Sequence, residues 1–479
     1  MSKSKELFNN TIFLAFGSFS RQAASLILLP IYTIYFSPKE LGSIDLILTY
    51  LTLLVPIFTL QLETATFRYL IDSKSVLSTK KILSSSFAVI ALMLCVLLGS
   101  ALLLSTLINL PYYMLIVINA ALMMCSSLLL QIARGLGKNN KFAIAGFISS
   151  ISTILVTVSM LTGFKGSGEV VLISLGVSNL LSTLYLFYSL GIRKYLAVSH
   201  VRKKVISKML HYALPLIPTG LSWWVMNVSD RTIISITLGL SANGIYAVAN
   251  KYVGIYMSLF SILAMSFTES ASKHINKKDG AMFISKVFNA SIRLFGSIGL
   301  VLIAFCPLII NTFIGKEFRS AKQYVPILIA SAFLSSAVSL LGAVYIAMKK
   351  TKAVASIAIM AAIMNFAFTF LLIGYIKIYA AAIATLLSFL IILIQRSINI
   401  KKYITIQFDK KIYAFIALCY SATFTLYYLN NTVCTIINCL FVLFIAVKLN
   451  SNSIILLRTK VLERIQFNKS RIGLIDENL

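Results

Sequence analysis

The stretch "DLILTYLTLLVPIFTLQLETAT", residues 45–66, decides how this chain is read. It is apolar enough for a membrane. Yet Asp45, Thr49, Thr52, Pro56, Thr59, Glu63 and Thr66 recur along it at alternating steps of four and three. At 100° per residue all seven fall within about 60° of Asp45, on one face of one helix. Lipid satisfies no polar group, so such a stripe must face protein or water inside a membrane protein. The segment therefore predicts one helix of a bundle, not a span that crosses alone.

The remainder of the chain agrees. Its 479 residues are 59% hydrophobic and only 12% charged, with a mean hydropathy of +0.91. A soluble protein carries about a quarter charged residues. Apolar segments predict fourteen spans, at 10–36, 41–70, 82–108, 112–133, 142–163, 170–192, 212–238, 244–270, 283–311, 325–347, 353–375, 378–398, 411–429 and 433–449. "MSKSKELFNN" leads into the first of them without a small-residue cleavage site, so no cleavable signal peptide is expected.

The longest internal polar segment, "RKYLAVSHVRKKVISKML" at 193–210, separates six spans from eight. Across it, "YFSPKELGSIDLILTY" (35–50) aligns with "GLSANGIYAVANKYVG" (239–254) at an offset of 204. A parallel repeat of this kind is a common transporter plan. The expected architecture is an all-α polytopic membrane protein with two six-helix bundles around a central cavity plus two C-terminal helices. Its units are an N-terminal bundle (1–192), a basic cytoplasmic linker (193–211), a C-terminal bundle (212–398), two additional transmembrane helices (399–449) and a cytoplasmic tail (450–479). Within the tail, "LRTKVLERIQFNKSRIGLIDENL" is expected to lie as an amphipathic helix on the inner surface.

A net charge of +29 would suggest nucleic acid as partner in a soluble chain. With the predicted spans, 32 of the 43 Lys and Arg fall on the side of the N-terminus and six in the opposite loops. The basicity is thus topological and places both termini in the cytoplasm. With Lys286, Arg396, Lys411 and Lys448, each within three residues of a cytoplasmic span end, counted in the adjoining loops, five cations remain inside spans: Arg21, Arg68, Arg231, Lys251 and Arg293.

Charged groups in hydrocarbon are costly, and by default they mark a pathway. Arg21 shares a face with Ser18, Gln22 and Ser25, and Lys251 one with Gly254, Ser258 and Ser261. Asp230 and Arg231 sit deep in "WWVMNVSDRTIIS", with Thr219 and Ser222 nearby. Concentrated Lys and Arg in a wet cavity favour an anion, most plausibly phosphate or diphosphate. Arg21, Lys251, Arg231, Arg293 and Arg68 are therefore the candidate substrate-binding residues. Asp45, Glu63 and Asp230 are candidates for ion coupling or for pairing with those cations. Blander readings stand beside these. Arg68 and Glu269 lie near a span end, where a side chain can snorkel or serve the surface. Asp230 and Arg231 can act as glue between helices, and Trp223 and Trp224 read as packing residues. Six cysteines fall in apolar spans as small hydrophobes, and three histidines show no ligand spacing, so no metal, cofactor or catalytic set is expected. The outer loops are too short to house an enzymatic domain, which argues against a glycosyl-polymerase.

"NNTIFLAFGSFSRQAASLILLPIYTIYFSPKELGSIDLILTYLTLLVPIFTLQLETATFRYL" (9–70) and "ALPLIPTGLSWWVMNVSDR" (213–231) resemble bacterial polysaccharide and O-antigen flippases of the Wzx type. These belong to the multidrug/oligosaccharidyl-lipid/polysaccharide (MOP) exporter superfamily. The resemblance is strongest over 8–72 and 208–270. It implies alternating access, location in the bacterial inner membrane, and transport of an undecaprenyl-diphosphate-linked oligosaccharide. Membrane lipids and a polysaccharide polymerase or assembly proteins are the partners it implies. It also implies cationic cavity residues, for which Arg21, Arg68 and Lys251 are the matches. The rivals are a multidrug/cation antiporter of the same superfamily and a lipid II flippase. Many such antiporters resemble this chain but carry a carboxylate in the first helix, where this sequence has Arg21.

Overall fold

The structure, a computed structural model, describes residues 20–73, 75–107, 111–163, 168–275, 277–348 and 351–451. Among them every long element is a helix. In chain order these are α1 (20–35), α2 (Pro38–Phe58), α3 (Leu62–Ile71), α4 (Val76–Ser105), α5 (Tyr113–Gly135), α6 (Asn139–Gly163), α7 (Glu169–Leu190) and α8 (Lys203–Ala213). There follow α9 (Leu216–Thr237), α10 (Leu240–His274), α11 (Gly280–Phe313), α12 (Val325–Ala347), α13 (Thr351–Ile376), α14 (Tyr379–Asn399), α15 (Lys410–Tyr428) and α16 (Thr432–Ser451). Eleven helices are long and apolar enough to cross a membrane. The other three predicted spans coincide with α1, α9 and α15. Ser18 and the predicted tail helix lie outside the described residues, as do the side chains of Thr219, Ser222, Trp223 and Glu269.

The second predicted span, 41–70, is two helices and not one. α2 starts from a capping box. The Ser37 hydroxyl accepts the Glu40 N–H, the Glu40 carboxylate accepts the Ser37 N–H at 2.9 Å, and Pro38 occupies the first helical position. Near its end Pro56 withholds an N–H from the Thr52 carbonyl, and the helix stops after Phe58. Leu60 and Gln61 then turn left-handed, at φ 54° and 55°, and the Gln61 N–H folds back on the Pro56 carbonyl at 3.2 Å. The polar stripe survives the break. Asp45, Thr49, Thr59, Glu63 and Thr66 are buried, Pro56 is half-buried, and Thr52 is exposed where it lines a cavity, in keeping with the cost of polar groups against lipid.

α2 crosses α10 where two glycines meet. A Cβ on Gly42 would lie 1.9 Å from the Leu240 carbonyl oxygen, and a Cβ on Gly244 would lie 2.0 Å from the Pro38 carbonyl oxygen. The contact is reciprocal, and it pairs residues 202 apart: Pro38 with Leu240 and Gly42 with Gly244. Ser37 and Gly239, the residues that precede the two helices, stand at the same spacing. α2 and α10 thus start 202 residues apart, beside the offset of 204 at which the two sequence segments align. Asn243 ties the crossing by donating to the Gly42 carbonyl at 2.8 Å. At the same end of the molecule Gly315 abuts Thr33 of α1, whose hydroxyl accepts the Gly315 N–H at 3.0 Å.

Apolar packing follows these contacts. One core joins the second half of α1 to α10, α11, α12 and α15, through residues such as Leu28, Tyr256, Leu300 and Leu341. Another joins α3, α4, α5 and α8 around Leu62, Leu83, Leu128 and Met209. The basic segment that precedes α9 is hooked to α4. Ser84 donates to the Tyr195 carbonyl and accepts the Ala197 N–H, while Ser85 accepts the Arg202 N–H.

Candidate anion-binding cavity

Two polar cavities lie where α1 and α2 meet α9 and α10. The larger, about 440 Å³, is lined by Thr49 and Thr52 of α2, Asp230 and Arg231 of α9, and Tyr246, Asn250 and Gly254 of α10. α12 and α14 complete it with Ser331, Ser335 and Thr385. The smaller, about 220 Å³, is lined by Arg21, Ser25 and Tyr32 of α1 and by Lys251 of α10. Ser149, Ser150 and Thr153 of α6 and Ser178 of α7 close its other wall. Leu48 lines both. A third cavity, about 490 Å³, lies between α11, α12, α14 and α15 and is walled by Phe288, Phe333, Tyr420 and Phe424; no charged group lines it.

In the larger cavity one cation answers two acids. Arg231 Nη1 lies 3.1 Å from Asp45 Oδ2 and donates to Asp45 Oδ1 at 3.2 Å and to the Thr49 hydroxyl at 3.1 Å. Asp230 accepts the Arg231 N–H at 2.8 Å and the Tyr246 hydroxyl. Trp224 Nε1 donates to the Thr49 carbonyl at 3.1 Å, and the Tyr50 ring lies tilted against the indole with centroids 5.8 Å apart. A polar network buried to this extent is stable only when its members answer one another.

In the smaller cavity the cations have no such answer. Neither Arg21 nor Lys251 has a carboxylate within ion-pair distance among the described residues, and no acid lines the space, although Asp45 acts electrostatically on Lys251 from farther off. Lys251 Nζ lies 5.9 Å from the Tyr32 ring centroid, and Arg21 Cζ lies 5.7 Å from that of Phe142. The polar faces of α1 and α10 meet here because Gly254 leaves room. A Cβ there would come within 2.4 Å of Gln22 Nε2. Two cations, hydroxyl groups and no acid make a space whose chemistry suits an anion.

The other candidates stand apart from these two cavities. Arg68, at the exposed end of α3, pairs with Asp72 at 3.3 Å. Arg293 is half-buried on α11 and acts electrostatically on the Tyr413 hydroxyl of α15. Glu63 is buried just past the helix break, with one carboxylate oxygen unpartnered among the described residues.

Two arginines were counted with the loops and are not loop residues. Arg134 is half-buried in the last turn of α5, with Cζ 4.9 Å from the Phe67 ring centroid and 5.9 Å from that of Phe142. Arg396 is buried in α14, donating to the Val338 carbonyl at 2.7 Å. The serines and threonines of α6 and α7 were also missed. Of those that line the cavity, Ser150, Thr153 and Ser178 bond their own helix backbone, to Gly146, Ser149 and Leu175, so the sequence gives no sign of their common wall. No group of His, Cys, Asp and Glu able to hold a metal occurs among the described residues.

Solved structures share this fold. The lipid II flippase MurJ in an inward closed conformation superposes with a TM-score of 0.68 at 17% identity, covering 94% of this chain and 99% of that one. An inward-facing multidrug resistance MATE family transporter of the MOP superfamily gives 0.67 at 12% identity, covering 81% and 98%. A mutant Vibrio cholerae MATE transporter gives 0.59 at 14% identity, covering 83% and 96%. No curated protein matches the sequence. The sequence profile of the polysaccharide biosynthesis protein family matches residues 7–267, more than half of the chain, and the chain belongs to that family.

Proposed function

We propose that the protein is a flippase. It carries an undecaprenyl-diphosphate-linked oligosaccharide, an O-antigen or other surface-polysaccharide repeat unit, across the bacterial inner membrane by alternating access. The observation that carries this reading is the cavity that Arg21 of α1 and Lys251 of α10 both line and that no acid lines. A sugar diphosphate loses its hydration in hydrocarbon. Arg21, Lys251 and the surrounding hydroxyl groups replace that hydration while the lipid tail stays in the bilayer.

Family membership and the shared fold with MurJ and the MATE transporters support the same reading. The helices 1–192 and 212–398 are the two bundles that rock, on either side of the linker 193–211, with 399–449 appended and 450–479 a cytoplasmic tail. The basic residues put both termini in the cytoplasm. Asp45 and Arg231 hold the bundles together at the Gly42–Gly244 end, and Asp230 and Glu63 are the remaining candidates for ion coupling. The protein needs no cofactor and performs no covalent chemistry in this scheme. Its partners are the lipid-linked substrate, membrane lipids and the polymerase or assembly proteins that take the exported unit.

The test is accumulation of lipid-linked oligosaccharide after deletion, with wild type, Arg21→Ala and Lys251→Ala restored at equal protein levels. Trapped precursor released by wild type alone supports the assignment. Sensitivity to cationic drugs without trapped precursor replaces it with the antiporter, and trapped lipid II replaces it with the lipid II flippase.

A further inference from the structure

We propose that Arg134 and Arg21 together form a second anion station, which takes a phosphate or diphosphate group before it reaches Lys251; this rests on the transport reading above. The two guanidiniums lie 5.9 and 5.7 Å from the centroid of one buried ring, Phe142. Arg134 lies in addition 4.9 Å from the Phe67 ring centroid. Among the described residues neither guanidinium has a carboxylate within 4.0 Å. Glu63, one turn before Phe67 on α3, forms no ion pair with either. Among the described residues the Arg134 head makes one hydrogen bond, from Nη1 to Gln131 Oε1 at 3.1 Å.

Two like charges beside one ring repel each other, and more strongly the less water surrounds them. The ring face offsets part of this. An anion held by both planar forks removes the rest, and a phosphate oxygen set matches that fork geometry. Placement gives the station its role. Arg134 ends α5 beside the loop that leads to α6, on the side that the basic residues assign to the cytoplasm. Arg21 belongs to both positions, sharing Phe142 with Arg134 and the 220 Å³ cavity with Lys251. The three cations thus form a series along which a headgroup can pass without being released into hydrocarbon.

The experiment uses full-length protein in nanodiscs titrated with farnesyl diphosphate and, in a parallel arm, with inorganic diphosphate. Melting temperature is recorded with and without each probe. Arg134→Gln should bind farnesyl diphosphate about tenfold more weakly, the loss of one charge-assisted contact. Its ligand-free melting temperature should be unchanged or higher, because a repulsion has been removed. Arg134→Lys keeps the charge without the fork; it should bind with intermediate affinity, and it serves if the Gln variant does not fold. Tighter binding of the farnesyl probe assigns the station to a lipid-borne phosphate, and equal binding to a free one. Wild-type affinity in Arg134→Gln, with Lys251→Gln weakened, overturns the station and leaves the transport reading standing. A lowered melting temperature with an intact probe-induced shift also overturns it, as a packing role. No binding of either probe to wild type removes both.

Discussion

Arg231 of α9 and Asp45 of α2 form an ion pair of 3.1 Å between residues 186 apart in sequence, and the Thr49 hydroxyl takes a second hydrogen bond from the same nitrogen. The pair lies one turn past the Gly42–Gly244 crossing along α2. Backbone contact and charge contact therefore close the same end of the molecule. Arg231 is occupied by this pairing, whereas Arg21 and Lys251 are left to their cavity.

Breaking the pair from one side leaves a charge without its answer. Asp45→Asn and Arg231→Gln should each lower stability by about 2–3 kcal/mol. This is less than the usual cost at a fully buried pair, because the Arg231 side chain is 23% exposed. The double variant should recover part of the loss, measured by thermal unfolding in detergent. Additive losses would show that the two groups do not depend on each other.

The Gly42–Gly244 crossing admits no side chain. Gly42→Ala and Gly244→Ala each put a methyl group into the partner helix's backbone, which cannot move aside as a side-chain tip can. Each should cost about 1–3 kcal/mol or prevent folding. Gly99→Ala, where a Cβ would meet nothing within 4 Å, should stay within about 0.5 kcal/mol of wild type. Yield and monodispersity on gel filtration distinguish the two classes.

Arg396 and Gly342 should behave as one unit. A Cβ on Gly342 would lie 2.7 Å from Arg396 Nη1, and Arg396 Nε has no hydrogen-bond partner among the described residues. An apolar chain of similar length removes a buried charge, so Arg396→Met should be neutral or stabilising. Gly342→Ala meets only a side-chain tip and should destabilise wild type by no more than about 1 kcal/mol, and less in the Arg396→Met background. Equal losses in both backgrounds would separate the two residues. Lost export from a stable Arg396→Met protein would assign the arginine to the pathway.

The sequence made the helical class and the buried stripe of α2 legible, because four-three spacing has one physical meaning inside a membrane. It did not reveal the break at Leu60 and Gln61, since a short interruption leaves that spacing nearly intact on both sides. Small-residue similarity aligned the two segments at 204, and it gave no sign that Gly42 and Gly244, 202 apart, would bring α2 and α10 into backbone contact. Arg134 and Arg396 escaped because span ends are set by average hydropathy. An arginine in a last turn then looks like loop whether it points out or in. The pairing of Arg231 with Asp45 rather than with substrate depends on the approach of α9 to α2, and no local pattern encodes that approach.

If Arg21 holds a diphosphate, its charge and its fork contribute separately. Arg21→Lys keeps the charge and should retain part of the export rate, and Lys251→Arg should retain most of it. Arg21→Gln keeps the polarity and loses the charge. One charge-assisted hydrogen bond contributes about 1.5–3 kcal/mol, so this variant should export roughly ten- to a hundredfold more slowly. The readout is the initial rate at which labelled lipid-linked oligosaccharide becomes accessible on the far side of sealed vesicles, at matched protein levels. The ordering wild type, Lys, Gln indicates an anion read by both charge and geometry. Equal rates for Lys and Gln would mean that the planar fork alone matters. A wild-type rate for Gln would remove Arg21 from the pathway and leave Lys251 as the cavity's working cation.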